Sequence, residues 1–264
     1  MSGACPVVEL WRYPVKSMAG EPLTQLRLGP DGVEGDRTFA LIDARTGKIL
    51  TAKRAPQLLQ ASTRWLGEAV EIILPEAAPV HSDDPAASRL LSAWLGQTVR
   101  LDRSAARAAT VEYEIDSRDP TALAEFALLP GTFVDEAPLH ILSDGSLRAA
   151  RAWHPDGAWQ VRRFRPNIVL GTPLAEPVED GWAGRHVRLG EAVVEVTGPC
   201  RRCVMVSHAQ GELAKDSGIL RSLTRQHRVG FGVYADIIRT GVVWVADVAE
   251  QLLPAAVIES SGGA

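Results

Sequence analysis

The strongest constraint on the fold is the rhythm of residues 7–74, where short stretches of alternating apolar and polar residues are cut repeatedly by proline and glycine. Residues 7–13 alternate and are stopped by Pro14; residues 22–28 run into the turn signal Gly29-Pro30-Asp31-Gly32. Gly35-Asp36-Arg37 leads into a strand at 38–42, a turn at 43–47 and a hairpin partner at 48–51, and the pattern continues at 58–65 and 69–74. A period of two buries one face of a strand, and strands spaced this closely leave no room for the crossover helices of a parallel sheet. The expected class is therefore mostly β (α+β), a barrel or sandwich rather than an α/β sheet, with a few helices.

Helices are expected where capping chemistry meets an apolar stripe. Asp83-Asp84-Pro85 starts one that carries Leu90, Leu91, Trp94 and Leu95 and ends at Gly96. Ser143 caps a second with Leu147, Ala150 and Trp153 on one face, and Asp216 or Ser217 caps a third with Leu220 and Leu223 inside. Strands are expected at 98–101, 139–142, 168–170, 186–189, 192–197, 204–207, 230–236 and 241–245. The pattern loosens at 102–130, which places a join between two β-barrel-like units, 1–120 and 121–264.

A chain of 264 residues with 46% apolar and 23% charged residues is an ordinary globular composition. Its formal net charge of -4 argues against general attraction to nucleic acid, so any anion must be held by local clusters. Only four of the 28 basic residues are lysines, and the arginines suit bidentate binding of phosphate or carboxylate. No apolar run has the length of a membrane helix, and residues 1–10 lack the layout of a signal peptide. Three cysteines argue against a disulfide framework and for a reducing, cytoplasmic location, and no membrane anchor is expected at the N-terminus.

Two of those cysteines stand close together in Gly198-Pro199-Cys200-Arg201-Arg202-Cys203, after a strand-like run. Arginine beside a thiol favours the thiolate, which is both the nucleophile and the soft metal ligand. A zinc half-site would need two more ligands, for which His208 and His227 are the nearest histidines. A thioredoxin-like pair would open a helix, whereas residues 204–207 alternate as a strand does. Two buried structural thiols would also satisfy the pattern. Further cations fall at strand ends and entries: Lys16 with Ser17, Arg37, and Arg165 with Asn167. Such positions in a β-rich fold can converge at a rim and serve a ligand with phosphate, a heterocycle and a soft metal.

Five segments carry a family resemblance, in order along nearly the whole chain: Tyr13-Pro14-Val15-Lys16-Ser17, Gly35-Asp36-Arg37, Leu142-Ser143-Asp144-Gly145-Ser146-Leu147, Phe164-Arg165-Pro166-Asn167-Ile168-Val169 and Cys200-Arg201-Arg202-Cys203. Through them the sequence resembles MOSC-domain molybdenum-cofactor proteins with an N-terminal β-barrel domain, in particular the amidoxime-reducing components and their bacterial relatives. The resemblance implies that Cys203 is the catalytic residue and molybdenum ligand, with Arg202 beside it. It also implies that Lys16, Ser17, Arg37, Arg165 and Asn167 bind the pterin of the molybdenum cofactor (molybdopterin) and its phosphate. Cys200 then matches a motif cysteine that is not the ligand, either structural or supporting the ligand from behind, and Arg201 is solvent-facing; His140 has no role in the resemblance and reads as a core residue. The implied activity is reduction of N-hydroxylated small molecules, hydroxylamines and amidoximes, to amines and amidines. With no cysteine after Cys203 to hold a cluster, electrons would come from a separate donor protein of ferredoxin, flavin reductase or cytochrome type. The same family includes the C-terminal part of molybdenum-cofactor sulfurases, so a cofactor-carrying or sulfur-transfer module is the rival expectation, and a barrel that binds only a protein partner is a third.

Overall fold

A computed structural model of the chain describes residues 5–104, 110–116, 119–128 and 131–253. Two units are interleaved in sequence: one comprises residues 1–12, 21–34 and 137–264, the other 13–20 and 35–136. The expected join at residue 120 falls within the strand Asp119–Ala127 of a β-hairpin, and the N-terminal strand belongs with the C-terminal half of the chain.

The first unit is a closed seven-stranded barrel. Its strands are β1 (Cys5–Arg12), β2 (Leu139–Ser143), β3 (Ile168–Leu170), β4 (His186–Leu189), β5 (Ala192–Arg201), β6 (Gly230–Arg239) and β7 (Val248–Gln251). The order around the barrel is β3-β2-β6-β5-β4-β7-β1, closed by antiparallel pairing of β1 with β3. All neighbours are antiparallel except β2 and β3. Closure leaves no free edge among these strands and gives their apolar residues one interior. That interior holds Val7, Leu10, Leu139, Ile141, Ile168, Leu170, Val187, Leu189, Val194, Val196, Val233 and Ala235.

A second core lies between the strands and two helices, Asp144–Trp153 and Ser217–His227, where Leu147, Trp159, Phe164, Ile219, Leu223 and Phe231 pack together. The local chemistry accounts for both helix starts. Ser143 Oγ accepts from Ser146 N at 3.0 Å, and Asp216 Oδ1 accepts from Gly218 N at 2.8 Å. The carboxyl of Glu179, fully buried in a 3-10 turn (Val178–Trp182), accepts from Ser143 N and Ser146 Oγ at 3.0 and 2.6 Å.

The second unit is made of small antiparallel sheets: Phe39–Asp43 with Val99–Arg103, Ser62–Trp65 with Val70–Ile73 and Val80–His81, and the hairpin Thr110–Asp116/Asp119–Ala127. The helix Ala87–Leu95 ends at Gly96 in the left-handed conformation, as its sequence predicts. Four local expectations change. The expected strand 58–65 begins instead as a 3-10 turn, Pro56–Gln60, because proline sits at its first position. Residues 48–51 form only an isolated bridge, Ile42 to Ile49. The loosely patterned 102–130 contains the hairpin, and residues 204–207 form a 3-10 turn, Val204–Ser207, instead of a strand.

Candidate functional site

Strand β5 is irregular where its sequence demands it. Pro199 has no N–H for the ladder, and the pairing with β6 shifts register between Val196 and Gly198 and again between Pro199 and Arg201. Past these shifts the chain leaves the barrel at Arg202, whose N–H donates to Val229 O at 2.7 Å, and turns at Cys203 into the 3-10 segment. The two thiols consequently differ. Cys200 is buried, whereas Cys203 is partly exposed at the start of the turn; all three cysteines are free thiols.

Arg202 ties this exit together. Its Nη1 donates to Cys200 Sγ and its Nη2 to Phe164 O at 2.7 Å. Burial works against its charge, but attraction to Cys200, Tyr234 and Cys203 and the hydrogen bond to Cys200 outweigh it, and its pKa lies above the ordinary guanidinium value. A positive charge therefore stands beside both sulfurs. The bond to Phe164 O also joins Arg202 to Arg165, which is buried and caps the short helix Val161–Phe164 in a left-handed conformation, φ 56°.

Asn167, also buried, is engaged with main chain. Its Oδ1 accepts from His140 N at 3.2 Å and its Nδ2 donates to Trp11 O at 3.3 Å, so its amide bridges β2 and β1. His140 itself is buried, with Nε2 at 3.2 Å from Phe231 O.

The structure gathers the other three expected residues, Lys16, Ser17 and Arg37, in the second unit. Lys16 is 5% exposed, and its Nζ donates to Phe133 O at 2.7 Å and Asp135 Oδ1 at 2.6 Å. The guanidinium of Arg37 pairs with buried Asp36 and lies 4.5 Å from the ring centroid of Tyr13. Desolvation opposes that charge, yet Asp36 more than compensates and raises the Arg37 pKa. Ser17 accepts from Ala52 N at 3.0 Å, and both Ser17 and Arg37 have positive φ, 69° and 45°.

Reading the sequence alone missed Arg163. It is 1% exposed and donates to four main-chain carbonyls: Ala158 at 3.0 Å, Val206 at 3.2 Å, His208 at 2.9 Å and Ala214 at 2.7 Å. It is the strut that holds the segment after Cys203 against the segment before Arg165. Its only sequence signal was a run of arginines, which exposed arginines produce as readily. The other omission is a set of polar atoms. Arg202 Nε, Ser207 Oγ and His208 Nε2, all in one seven-residue stretch, are buried without a hydrogen-bond partner among the described residues. Burial, with Lys215 adding to it, lowers the His208 pKa, which disfavours the charged ring. Orphaned polar groups are rare in folded proteins, and an ordered water or a polar ligand can satisfy them.

Among the described residues no three His, Cys, Asp or Glu side chains converge as a metal site, so the cysteine pair gains no zinc partners there. One partly exposed thiol, a permanent cation and unsatisfied polar atoms instead fit a soft metal carried on an anionic organic group. Comparison with known proteins agrees on the family. The MOSC N-terminal beta barrel domain matches residues 4–113 and the MOSC domain matches residues 129–250; the chain belongs to the MOSC-domain proteins. It is 28% identical over 275 residues to a molybdenum cofactor sulfurase of Danio rerio, which covers 88% of this chain but only 32% of that protein. It is 24% identical over 227 residues to mitochondrial amidoxime-reducing component 1 of Homo sapiens, covering 76% of this chain and 65% of the relative. Among solved structures, the YuaD protein of Bacillus subtilis has the same fold, with a TM-score of 0.50 at 11% identity over 94% of both chains. No helix among the described residues is long and apolar enough to cross a membrane.

Proposed function

We propose that this protein is a molybdenum-cofactor-dependent reductase of N-hydroxylated compounds, taking a hydroxylamine or amidoxime to the amine or amidine. The balance is two electrons and two protons in, with the oxygen leaving as water. The observation that carries the reading is the Cys203 exit: a partly exposed thiol, the charged Arg202 beside it, and three buried polar atoms without partners among the described residues. Cys203 would be the metal ligand. Arg202 and Arg165 would face the cofactor's negative charge, and Ser207 and His208 would supply hydrogen bonds. Asn167 would act chiefly by fixing the entry to β3, since its amide already bridges two strands. Lys16, Ser17 and Arg37 form a second cationic group in the other unit, and they are proposed as phosphate contacts on the family resemblance. The cofactor, when bound, would supply the two-electron couple. The protein's residues hold, orient and charge-balance it. Electrons would come from a separate donor protein, and the three free thiols suit a cytoplasmic, reducing compartment.

The test is metal analysis and benzamidoxime reduction, with a chemical reductant, on protein made in a host that synthesises the cofactor. Wild type is expected to hold about one molybdenum per chain and to turn over, Cys203→Ser to lose both, and Cys200→Ser to keep most of the metal. A wild type without molybdenum, or a Cys203→Ser variant loaded as fully as wild type, refutes the reading. The sulfurase relative that covers most of this chain favours a second reading, a cofactor-carrying or sulfur-transfer module. That one predicts metal loading that depends on Cys203 but no reduction of benzamidoxime.

A further inference from the structure

Beside the Cys203 exit the barrel unit has a cleft of about 450 Å³, lined by Asp180, Pro199, Arg201, Gln226, His227, Arg228, Gly230 and Val233. Its volume is in the range of small-molecule sites. None of the residues assigned above to the cofactor lines it. Its walls are nevertheless built from the same backbone, because Val229 O, between lining residues Arg228 and Gly230, accepts from Arg202 N at 2.7 Å.

The charges that line the cleft are not all paired among the described residues. Asp180 is taken by His227, with Oδ2 at 2.7 Å from Nε2. The other ring nitrogen of His227 lies 2.9 Å from Gly230 O, so both nitrogens face acceptors, an arrangement that favours the imidazolium. Consistent with this, the hydrogen bond to Asp180, opposed by burial and helped by Gly230 O, raises the pKa of His227. Its ring is stacked on Trp153, centroids 5.5 Å apart at 27°, which fixes this wall. Arg201 and Arg228 are exposed, and neither guanidinium has a hydrogen-bond or ion-pair partner among the described residues. Two arginines therefore line the cleft without an ion-pair partner among the described residues, with Gln226 beside them and Pro199, Gly230 and Val233 as further lining.

The placement of Arg228 has a cost. The helix Ser217–His227 ends with Arg228 in the left-handed conformation, φ 50°, and Val229 follows at φ 60°. Glycine is the usual residue at such a helix end, and a β-branched residue there is an outlier. A chain that accepts this strain gains an arginine side chain in the cleft, which glycine would not give.

We propose that this cleft binds a small organic dianion, a phosphomonoester on a compact apolar or aromatic body, through Arg201 and Arg228. Guanidinium groups match phosphate oxygens in a fork geometry, and two uncompensated cations match two negative charges. The site is independent of the cofactor reading, because its test is binding and not turnover.

The experiment measures binding of phenyl phosphate, benzoate and benzamide to the full chain at pH 7 by calorimetry and by amide shift mapping. Phenyl phosphate is expected to bind about tenfold tighter than benzoate, with shifts at Arg201 and residues 226–233, and benzamide not to bind detectably. Arg201→Ala and Arg228→Gly are each expected to weaken phenyl phosphate at least about tenfold. Arg228→Gly is expected to keep or raise the melting temperature, because glycine suits that conformation, which separates lost binding from lost folding. Arg225→Ala, on the same helix but outside the cleft, is expected to leave binding unchanged. Equal binding of phenyl phosphate and benzamide, or equal losses in the Arg225 and Arg228 variants, overturns the proposal.

Discussion

Arg163 is the sharpest place to test how the candidate site is held. Its guanidinium is buried and its four hydrogen bonds all go to main-chain carbonyls, three of them on residues 206, 208 and 214 beyond Cys203. Burial lowers its pKa, and Asp216 offsets only part of that effect. Hydrogen bonds from a charged donor contribute about 1.5–3 kcal/mol each, but truncation to alanine lets water reach some of the released carbonyls. Arg163→Ala is therefore expected to lose about 3–5 kcal/mol, within the range for breaking a buried charged network. Arg163→Lys, with three donors on one atom, is expected to lose about 2 kcal/mol because it keeps only part of the fan of bonds. The assay is urea denaturation followed by circular dichroism, together with the rate of Cys203 alkylation in the folded protein. Released from its strut, the segment after Cys203 should open more often and alkylation should rise at least about tenfold, while buried Cys200 stays protected. A stability loss under about 1 kcal/mol in Arg163→Ala, or an unchanged alkylation rate in both variants, refutes the strut. If the alanine variant does not fold, the lysine variant still decides the question.

Two further predictions concern burial. Desolvation raises the Glu179 pKa, and hydrogen bonds from Ser143 and Ser146 offset only part of that rise. The folded protein holds this proton to higher pH than the unfolded chain does. The stability it contributes is thus complete below the ordinary carboxyl range and is lost as pH rises through the folded value. Urea melts of wild type at rising pH should show that decline, and Glu179→Gln should flatten it; an identical slope in the variant would count against a raised value. Gly35 has φ 79°, and an added Cβ would lie 2.8 Å from the Trp65 ring. Gly35→Ala is therefore expected to destabilise the protein by about 2–4 kcal/mol, read in the same urea melts, and a neutral effect would show that the ring moves aside freely.

The features legible in the sequence were the local ones. Alternation marked most of the barrel strands, and Ser143, Asp216 and Gly96 acted as caps by chemistry that needs only neighbouring residues. Three features were not legible in that way. Closure of the barrel pairs β1 with β3, more than 150 residues away, and no periodicity encodes that partner. Residues 204–207 alternate like a strand, yet Val206 O and His208 O are both held by Arg163, and four residues of pattern are too few to outweigh such ties. In 102–130 the hairpin strand 110–116 does alternate, through Val111, Tyr113 and Ile115, but the charged and alanine-rich sequence on either side hides that short period. Of the candidate site, the residue types were legible and their partners were not. Asn167 was expected as a ligand contact, and the bridge its amide makes between two strands, with one donor and one acceptor site, was not.

The backbone itself supplies a further argument for where this protein works. Seven non-glycine residues with positive φ are found among those described: Ser17, Arg37, Glu76, Arg165, Arg228, Val229 and Ala246. The first, second and fourth are residues singled out from sequence as cofactor contacts, and Arg228 and Val229 flank the cleft. Such conformations cost about 1–2 kcal/mol for a residue with a side chain, and glycine removes most of that cost. A fold selected for stability alone would put glycine at these turns, as this chain does at Gly35, Gly47 and Gly96. Where it keeps arginine or serine instead, the side chain must provide something that the backbone does not. At Arg37 that is partly the ion pair with Asp36. At Arg228 no partner among the described residues accounts for it, and the anion proposed for the cleft would supply that interaction.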